Sequence, residues 1–481
     1  MFKMTLKLKI SCTSILYILL SLAPSVLLGQ EGATGDNKDT LVIIHSLSFS
    51  GNNITRERII QREIVFHAGD TLTLPELREQ TEQSRKNLVN TSLFNFVTSD
   101  ISFIEGEPLT ADVSFTFIER WYIWPVPIFE FADRNFNEWL KKKDWNRLNY
   151  GMFLTWNNFR GRREKVVVYT RFGYDENYNI SYQIPYINKK QTLGIGFAGG
   201  FSQNHEIAYN SEDNKEVYFK SEEYRPQRKY FGYTELYYRK NIHNFHRVNL
   251  GYSDLRVADS VLILNPDFSY GNLNRNQYFT LYYHFRTDYR DFKQYPLNGY
   301  YVDFDVVKNG IGVFDDGVND LYIKTGLRKY NQISGRFYWA SGLSGKISPF
   351  WSQPYYFLQG LGYGRDYVRG YEYYVIDGQH FAVLKNNLKF ELIKMREMTF
   401  PFISTEKFNK LFYAFYMNVY ADLGYVVDNR NISTNPLAND ILTGYGVGLD
   451  FVTYYDFVLR LEYSFNKMGE SGFFISFMPS I

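Results

Sequence analysis

From Trp121 to the C-terminus, hydrophobic and polar residues alternate in segments of about ten residues that turn-forming residues separate. We count about 16 segments, and a strand with half of its turns needs roughly 20 to 25 residues, so they fill the available length. The pattern predicts a mainly β fold, a 16-stranded antiparallel transmembrane β-barrel over residues 121–481. The alternative is a soluble β-sandwich, which would need a second sheet over its apolar face.

The connections between the predicted strands differ in length on the two sides of the barrel. Those after odd-numbered strands are mostly long, for example Ser348 to Gln379, and those after even-numbered strands are mostly short, for example Arg160 to Arg163. Outer-membrane barrels have short periplasmic turns and long external loops, so a domain that precedes the first strand is expected on the periplasmic side. The connection from Lys394 to Lys410 breaks this rule, and the pattern offers no reason for it.

Residues 1–29 have the pattern of a secretory signal peptide, with three lysines ahead of an apolar run that begins at Ile15. We expect residues 30–40 to form a linker. Residues 41–120 mix strand and helix periodicity in the order β-α-α-β-β, which predicts one small α+β domain. Thr55 is the expected N-cap of its first helix, and Pro75 is expected to open the second.

Composition narrows the class of protein. Aromatic residues make up 19% of the chain, and Tyr and Phe form the interfacial girdles of outer-membrane barrels. A net charge of +2 gives no reason to expect nucleic acid as a partner. The single cysteine, Cys12, precedes the apolar run, and no triad, metal or phosphate-loop motif stands out, so we expect no cofactor, no metal and no enzymatic activity.

The tetrapeptide Val368-Arg369-Gly370-Tyr371 lies in the longest predicted external loop. If this loop folds inward, Arg369 can pair with Asp422, whose side chain is on the predicted lumen face of a nearby strand. Glu391 is a second possible partner. Three glycines with lumen-facing parity leave a groove in which the loop backbone can pack, or they serve strand curvature alone; these are Gly444, Gly446 and Gly448.

With these residues the chain resembles the BamA/TamA outer-membrane assembly superfamily, also called the bacterial surface antigen family. In that family a polypeptide-transport-associated (POTRA) domain of β-α-α-β-β order precedes a 16-stranded barrel, and a V-R-G-[FY] loop meets a D-x-G strand. Here the D-x-G residues are Asp422-Leu423-Gly424, and the POTRA-like cues are Gly51-Asn52, Gly69-Asp70 and Leu93-Phe94. The resemblance covers nearly all of the chain after the signal peptide. It departs in the number of POTRA domains, because this chain has room for one where the type member has five.

The first and last predicted strands contain prolines. Pro125 and Pro127 share a parity, so their missing N–H groups lie on one edge of the first strand, and Pro479 lies in the last segment. Phe473, Ile475 and Phe477 give that last segment a lipid face. The prolines indicate either a weak closing seam or simple tapering of two terminal strands. The resemblance implies a seam that opens and pairs with an incoming strand.

These observations predict an outer-membrane assembly or translocation protein that binds unfolded outer-membrane or secreted polypeptides. Outer-membrane lipid and lipopolysaccharide are the expected surroundings, and periplasmic lipoproteins or chaperones are candidate further partners. The alternatives are a passive pore or channel and, less supported by motifs, an outer-membrane lipid hydrolase.

Overall fold

The computed structural model describes residues 40–104, 108–131, 148–314, 317–350, 352–430, 434–453 and 457–477. The predicted signal peptide and Pro479 lie outside these residues. No helix among the described residues combines the length and apolar character that crossing a membrane requires.

The N-terminal domain is a four-stranded sheet in the order β2-β1-β4-β3, with β1 and β4 parallel and two helices against one face. Its elements are β1 (Leu41–Ser50), α1 (Glu57–Gln61), β2 (Thr71–Thr73), α2 (Leu74–Val89), β3 (Phe94–Ile104) and β4 (Leu109–Glu119). Fully buried Ile60, Leu77 and Leu88 of the helices pack against Val42 and Phe115 of the sheet. The predicted β-α-α-β-β order is present, with the three-residue strand β2 added to it.

The helix starts show how local chemistry sets the boundaries. A capping box starts α2: the Glu76 amide donates to the Thr73 hydroxyl, and the Glu76 carboxylate accepts the Thr73 N–H at 2.9 Å. The expectation that Thr55 caps α1 is wrong. Arg56 is the N-cap and makes no side-chain capping bond, while the Thr55 hydroxyl donates to buried Glu119 at 2.6 Å.

Sixteen strands form the second sheet, in which each strand is antiparallel to its neighbours. They are β5 (Ile123–Phe131), β6 (Leu148–Phe159), β7 (Glu164–Gly173), β8 (Glu176–Ile184), β9 (Leu193–Asn204), β12 (Gln227–Tyr238), β13 (Asn244–Val257), β14 (Arg275–Asp288), β15 (Gly299–Asn309), β16 (Asp320–Ser334), β17 (Phe337–Ile347), β18 (His380–Thr399), β19 (Lys410–Val427), β20 (Ile441–Thr453), β21 (Val458–Asn466) and β22 (Ser471–Ser476). The predicted 16-stranded antiparallel architecture is therefore confirmed. Its first and last strands do not pair with each other in the described residues, so the sheet is not closed.

The faces of the sheet follow the predicted alternation. Along β19, Met417, Val419 and Leu423 are about half exposed, while Asn418 and Asp422 are buried at 3% and 1% exposure. The first set faces outward, where lipid would lie, and the second faces the lumen.

The N-terminal domain packs against the turns that follow even-numbered barrel strands, which we call the domain side of the barrel. Arg56 N donates to Gly161 O at 3.0 Å, and Asn90 Nδ2 donates to Asp291 O at 2.9 Å. The connection near Lys394 to Lys410, which the pattern left unexplained, also belongs to this contact. The strands β18 and β19 extend 20 and 18 residues and end in a turn with a short helix, α4 (Glu406–Asn409), where Lys407 O accepts from Asn95 at 2.9 Å.

One carboxylate lies at the centre of this contact. Glu63, 1% exposed, accepts two bonds from Arg239 at 2.5 and 2.9 Å and one from Arg163 at 3.2 Å. Burial alone raises the pKa of Glu63, but attraction and hydrogen bonds from Arg239, followed by attraction from Arg163, outweigh it and lower the pKa to about 2. We call these three residues the Glu63 cluster.

On the opposite side, a hairpin folds over the loops. Its strands are β10 (Glu206–Glu212) and β11 (Lys215–Lys220). A short helix of a neighbouring loop, α3 (Asp259–Leu264), packs against the hairpin. The hairpin tip bonds to two other loops, through Asp213 N to Thr434 O at 3.0 Å and Val375 N to Asn214 O at 2.9 Å. The loops on this far side therefore hold one another together.

Candidate functional site

The loop between β17 and β18 brings Arg369 into the barrel lumen, where its side chain has 0% exposure. Its Nε donates to one Asp422 oxygen at 2.7 Å, and its Nη2 donates to the other at 2.5 Å. The Arg369 backbone N–H adds a third bond to Asp422 at 3.2 Å. A guanidinium and a carboxylate paired through two parallel bonds hold both the position and the plane of the loop.

Two further groups contact Arg369, and sequence reasoning did not single out either of them. The Glu462 carboxylate lies 3.3 Å from Nη1, and the Tyr420 ring lies under the guanidinium with its centroid at 3.7 Å. Both are buried on lumen-facing positions of β21 and β19, which parity could have indicated. The link to Arg369 needed the strand register as well.

Glu391, the expected second partner, lies elsewhere. It is opposite Tyr416, six residues along β19 from Asp422, which at the rise of a strand is about 20 Å away. The second carboxylate at Arg369 is therefore that of Glu462, and the expectation for Glu391 is not met by this geometry.

Glycines provide the room for the loop. A Cβ on Gly444 would lie 1.8 Å from Arg369 O, and one on Gly424 would lie 2.4 Å from Val368 Cγ2. Gly370 has φ +91°, a backbone conformation that side chains with a Cβ rarely adopt. The loop backbone can approach the wall only because these positions lack side chains.

The other two glycines have a different role from the predicted groove. A Cβ on Gly446 would meet the Tyr420 hydroxyl at 2.6 Å, and one on Gly448 would meet Asn418 at 2.8 Å. Gly446 thus makes room for the ring that stacks under Arg369, and Gly448 makes room for a neighbouring amide. They support the loop site through β19 rather than by touching the loop.

The residues beside Arg369 fix the rest of the tetrapeptide. Val368 and Tyr371, at 1% and 2% exposure, belong to an apolar cluster with residues of the barrel wall such as Val383 and Leu442. Gly370 O accepts a bond from Asn466 Nδ2 at 2.9 Å. The whole motif is therefore built into the lumen wall.

The second candidate site is the pair of edge strands, β5 and β22. The N–H of Asn157, on β6, donates to Tyr122 O at 2.8 Å. The register of β5 and β6 places these two residues opposite each other, so they form a hydrogen-bonded pair. Hydrogen-bonded and non-hydrogen-bonded pairs alternate in an antiparallel ladder, so Pro125 and Pro127 belong to the non-bonded pairs. Their nitrogens therefore face the free edge of the sheet, which thereby lacks two donors.

The opposite edge is short and apolar on its outer face. The strand β22 has six residues. Phe473 and Ile475 on it are each 57% exposed, and Phe477, just beyond it, is 60% exposed. A short strand with one lipid-facing side offers few backbone groups to a partner. The free edges thus differ in length and in donors.

The comparisons with known proteins agree with this architecture. The family model described as POTRA, surface antigen variable number repeat, matches residues 42–120. No curated protein matches the chain significantly by sequence.

Among solved structures, CdiB from Escherichia coli matches with a TM-score of 0.51 and 13% identity, over 90% of this chain and 75% of that one. BamA from Haemophilus ducreyi lacking POTRA domains 1–3 matches with a TM-score of 0.49 and 16% identity, over 91% and 83%. CdiB from Acinetobacter baumannii matches with a TM-score of 0.47 and 14% identity, over 91% and 74%. The likeness to CdiB from Escherichia coli shows that this chain and that protein share a fold.

Proposed function

We propose that this protein, a single-POTRA member of the BamA/TamA superfamily, assists insertion or translocation of polypeptides at the bacterial outer membrane. In this proposal the N-terminal domain is periplasmic and the long loops are external. The observation that carries the proposal is the seam between β5 and β22, which do not pair with each other within the described part of the chain. An unpaired strand edge offers backbone groups to an incoming strand, which is the physical basis of β-augmentation.

The prolines support this role for the seam. Because Pro125 and Pro127 leave two donors out of the free edge, closure by β22 would form fewer bonds than closure between ordinary strands. When the pairing between β5 and β22 is weak, less free energy is needed to replace it with pairing to a client strand. The Arg369 loop, anchored on β19, β20 and β21, would keep the wall beside the seam rigid while the seam itself opens.

The test is photo-crosslinking in cells, with a crosslinkable residue at Phe129 on β5 or Ile475 on β22. The matched control is Leu250, which is 51% exposed on β13, far from the seam in strand order. We expect client polypeptides to be trapped at the two seam positions and not at Leu250. Equal trapping at all three positions, or none at the seam, contradicts the proposal.

A passive pore is the alternative function, and the lumen geometry disfavours it. The anchored loop fills part of the lumen, and the β10–β11 hairpin bonds across the far-side loops. Steady single-channel conductance that persists after removal of the loop around Arg369, without any trapped polypeptide, would favour the pore instead.

A further inference from the structure

A cavity of about 910 Å³ lies between the N-terminal domain and the barrel wall. Residues 91–93 of the domain form one side of it, and lumen-facing residues of several strands form the others. This volume is in the range of small-molecule sites. Seven arginine and lysine side chains line it, among them Arg163, Arg239, Arg286 and Lys293.

The carboxylates near these cations already have their own partners. Glu63 is shared by Arg163 and Arg239 in the Glu63 cluster. Asp288 accepts two bonds from Arg290, both at 2.8 Å. Glu164 lies 2.9 Å from Arg160 and 3.1 Å from Arg162. The cavity wall therefore carries more positive than negative charge.

Two of these lining cations, Arg286 and Lys293, have no ion pair in the described residues. The Arg286 guanidinium stacks on Phe245 with its carbon 4.7 Å from the ring centroid. The Lys293 backbone is held by Asn90, which accepts its N–H at 3.1 Å, and by Arg290, which donates to its carbonyl at 3.3 Å. The ammonium group is thus presented to the cavity from a fixed turn.

The surroundings of Lys293 disfavour its charge. Burial, and then repulsion by Arg163, lower the pKa of Lys293 to about 7. On the same wall, the Arg247 Nε–H is buried and donates to no acceptor among the residues that the structure describes. A bound anion would supply the countercharge and the acceptor that this wall lacks.

We propose that this cavity binds a compact phosphate-bearing anion through Arg286 and Lys293, supported by Arg163 and Arg239. Guanidinium groups donate in a planar fork that matches phosphate oxygens, and lysine adds a point charge. Seven cationic side chains against two lining carboxylates, Glu164 and Asp288, suit an anion with more than one negative charge. Aromatic side chains on the same wall, Tyr122 and Tyr186 among them, offer contacts to an organic portion of the ligand.

The test uses the full chain in detergent that has been cleared of lipopolysaccharide. Binding of tripolyphosphate is measured by calorimetry for the unaltered protein and for Arg286→Gln, Lys293→Gln and Lys189→Gln. Lys189 is the matched control, because it is exposed on a domain-side turn outside the cavity. The folded barrel of each variant is verified by its heat-dependent shift in gel migration.

We expect tripolyphosphate to bind, each cavity variant to weaken binding about tenfold or more, and Lys189→Gln to bind as the unaltered protein does. Displacement of tripolyphosphate by bis-phosphorylated lipid A in mixed micelles would assign the phosphate to a lipid headgroup. Failure of lipid A to displace it would assign the site to a soluble phosphate compound. The proposal is overturned if neither compound binds, if the control loses as much affinity as the cavity variants, or if citrate binds as tightly as tripolyphosphate.

Discussion

At the residue scale, Arg369 connects a loop to three strands through charge, stacking and shape at once. Its charge is balanced by Asp422 and Glu462, its plane rests on Tyr420, and its carbonyl needs the empty side of Gly444. A buried ion pair is costly to break, because the remaining partner keeps its charge without its countercharge. Loss of both partners should therefore cost less than the sum of the two single losses.

We predict that Arg369→Ala and Asp422→Ala each lower the free energy of barrel unfolding by about 3–5 kcal/mol, the range for half of a buried pair. The double variant should cost less than the sum, with a coupling of about 0.5–3 kcal/mol. Urea unfolding of the four proteins measures this. Lys324 and Asp366, a partly exposed pair, give the control cycle, for which about 1 kcal/mol or less is expected. Strict additivity for Arg369 and Asp422 would refute their coupling.

We also predict that Gly444→Ala displaces the loop, because the added carbon would overlap Arg369 O at 1.8 Å. Gly232→Ala is the control, since its added carbon would meet its nearest neighbour at an ordinary 3.7 Å. Limited proteolysis of the folded protein should cut the loop around Arg369 faster in Gly444→Ala only. An unchanged cleavage rate in that variant would show that the loop is held without this close approach.

At the element scale, the N-terminal domain is held against the barrel by turns that are far away in sequence. The Glu63 cluster lies at the centre, and the long β18–β19 hairpin reaches out to the side, where the Phe412 and Phe96 rings are 4.7 Å apart. The hairpin turn thus explains the long connection that disagreed with the loop-length rule. The residues at the end of this hairpin contact the N-terminal domain.

We predict that docking of the domain does not depend on pH from about 6 down to about 4.5, below the range in which Lys293 titrates, and weakens as the pH falls further. The pKa of Glu63 is lowered to about 2 when docked, so its contribution is fully present above its ordinary pKa and is lost as the pH falls toward the lowered value. Spin labels on the domain and on the barrel would report the docked distance. Docking that weakens already between pH 6 and 5 would contradict this assignment.

Glu63→Gln should weaken docking at every pH above about 4.5, where Glu63 is ionised, because Arg163 and Arg239 then lack a countercharge. Glu76→Gln is its control, since Glu76 is an exposed capping residue of the same domain and glutamine retains the capping box. The same spin-label distances measure both variants. Equal distances in the two variants would show that the cluster does not hold the domain.

At the scale of the whole molecule, the sheet as far as it is described has one weak line, the seam between β5 and β22. Every other neighbouring pair of barrel strands is joined by a regular ladder, although several ladders contain bulges. Local opening follows the distribution of bonds and buried contacts, so it should begin at the free edges.

We predict that backbone amides of β5 and β22 exchange hydrogen for deuterium faster than those of β13 and β14. Replacing Pro125 and Pro127 with alanine should slow exchange on β22, because two new N–H donors then face it. Pro401→Ala, in an exposed domain-side turn, is the control and should leave the seam unchanged. Uniform exchange across all sixteen strands would contradict a weak seam.

Much of this architecture could be predicted from periodicity, because apolar and polar residues alternate along a barrel strand according to the face on which they lie. Alternation placed Asp422 and the glycines on the lumen face. It could not distinguish Glu462 from Glu391 as the partner of Arg369, since that choice depends on register over several strands. The Glu63 cluster joins residues up to 176 positions apart, so no local sequence pattern predicts it. The strand β2 has only three residues, which is too short for a recognisable alternation.

The junction between the domain and the barrel has a mechanical consequence. The strand β4 ends at Glu119 and β5 begins at Ile123, and within this short junction the Tyr122 hydroxyl donates to Leu93 O at 3.0 Å. No slack is present there to absorb a rotation. The domain and the first edge strand therefore act as one lever, and any load that pulls on the domain is delivered as torque to the free edge of the sheet.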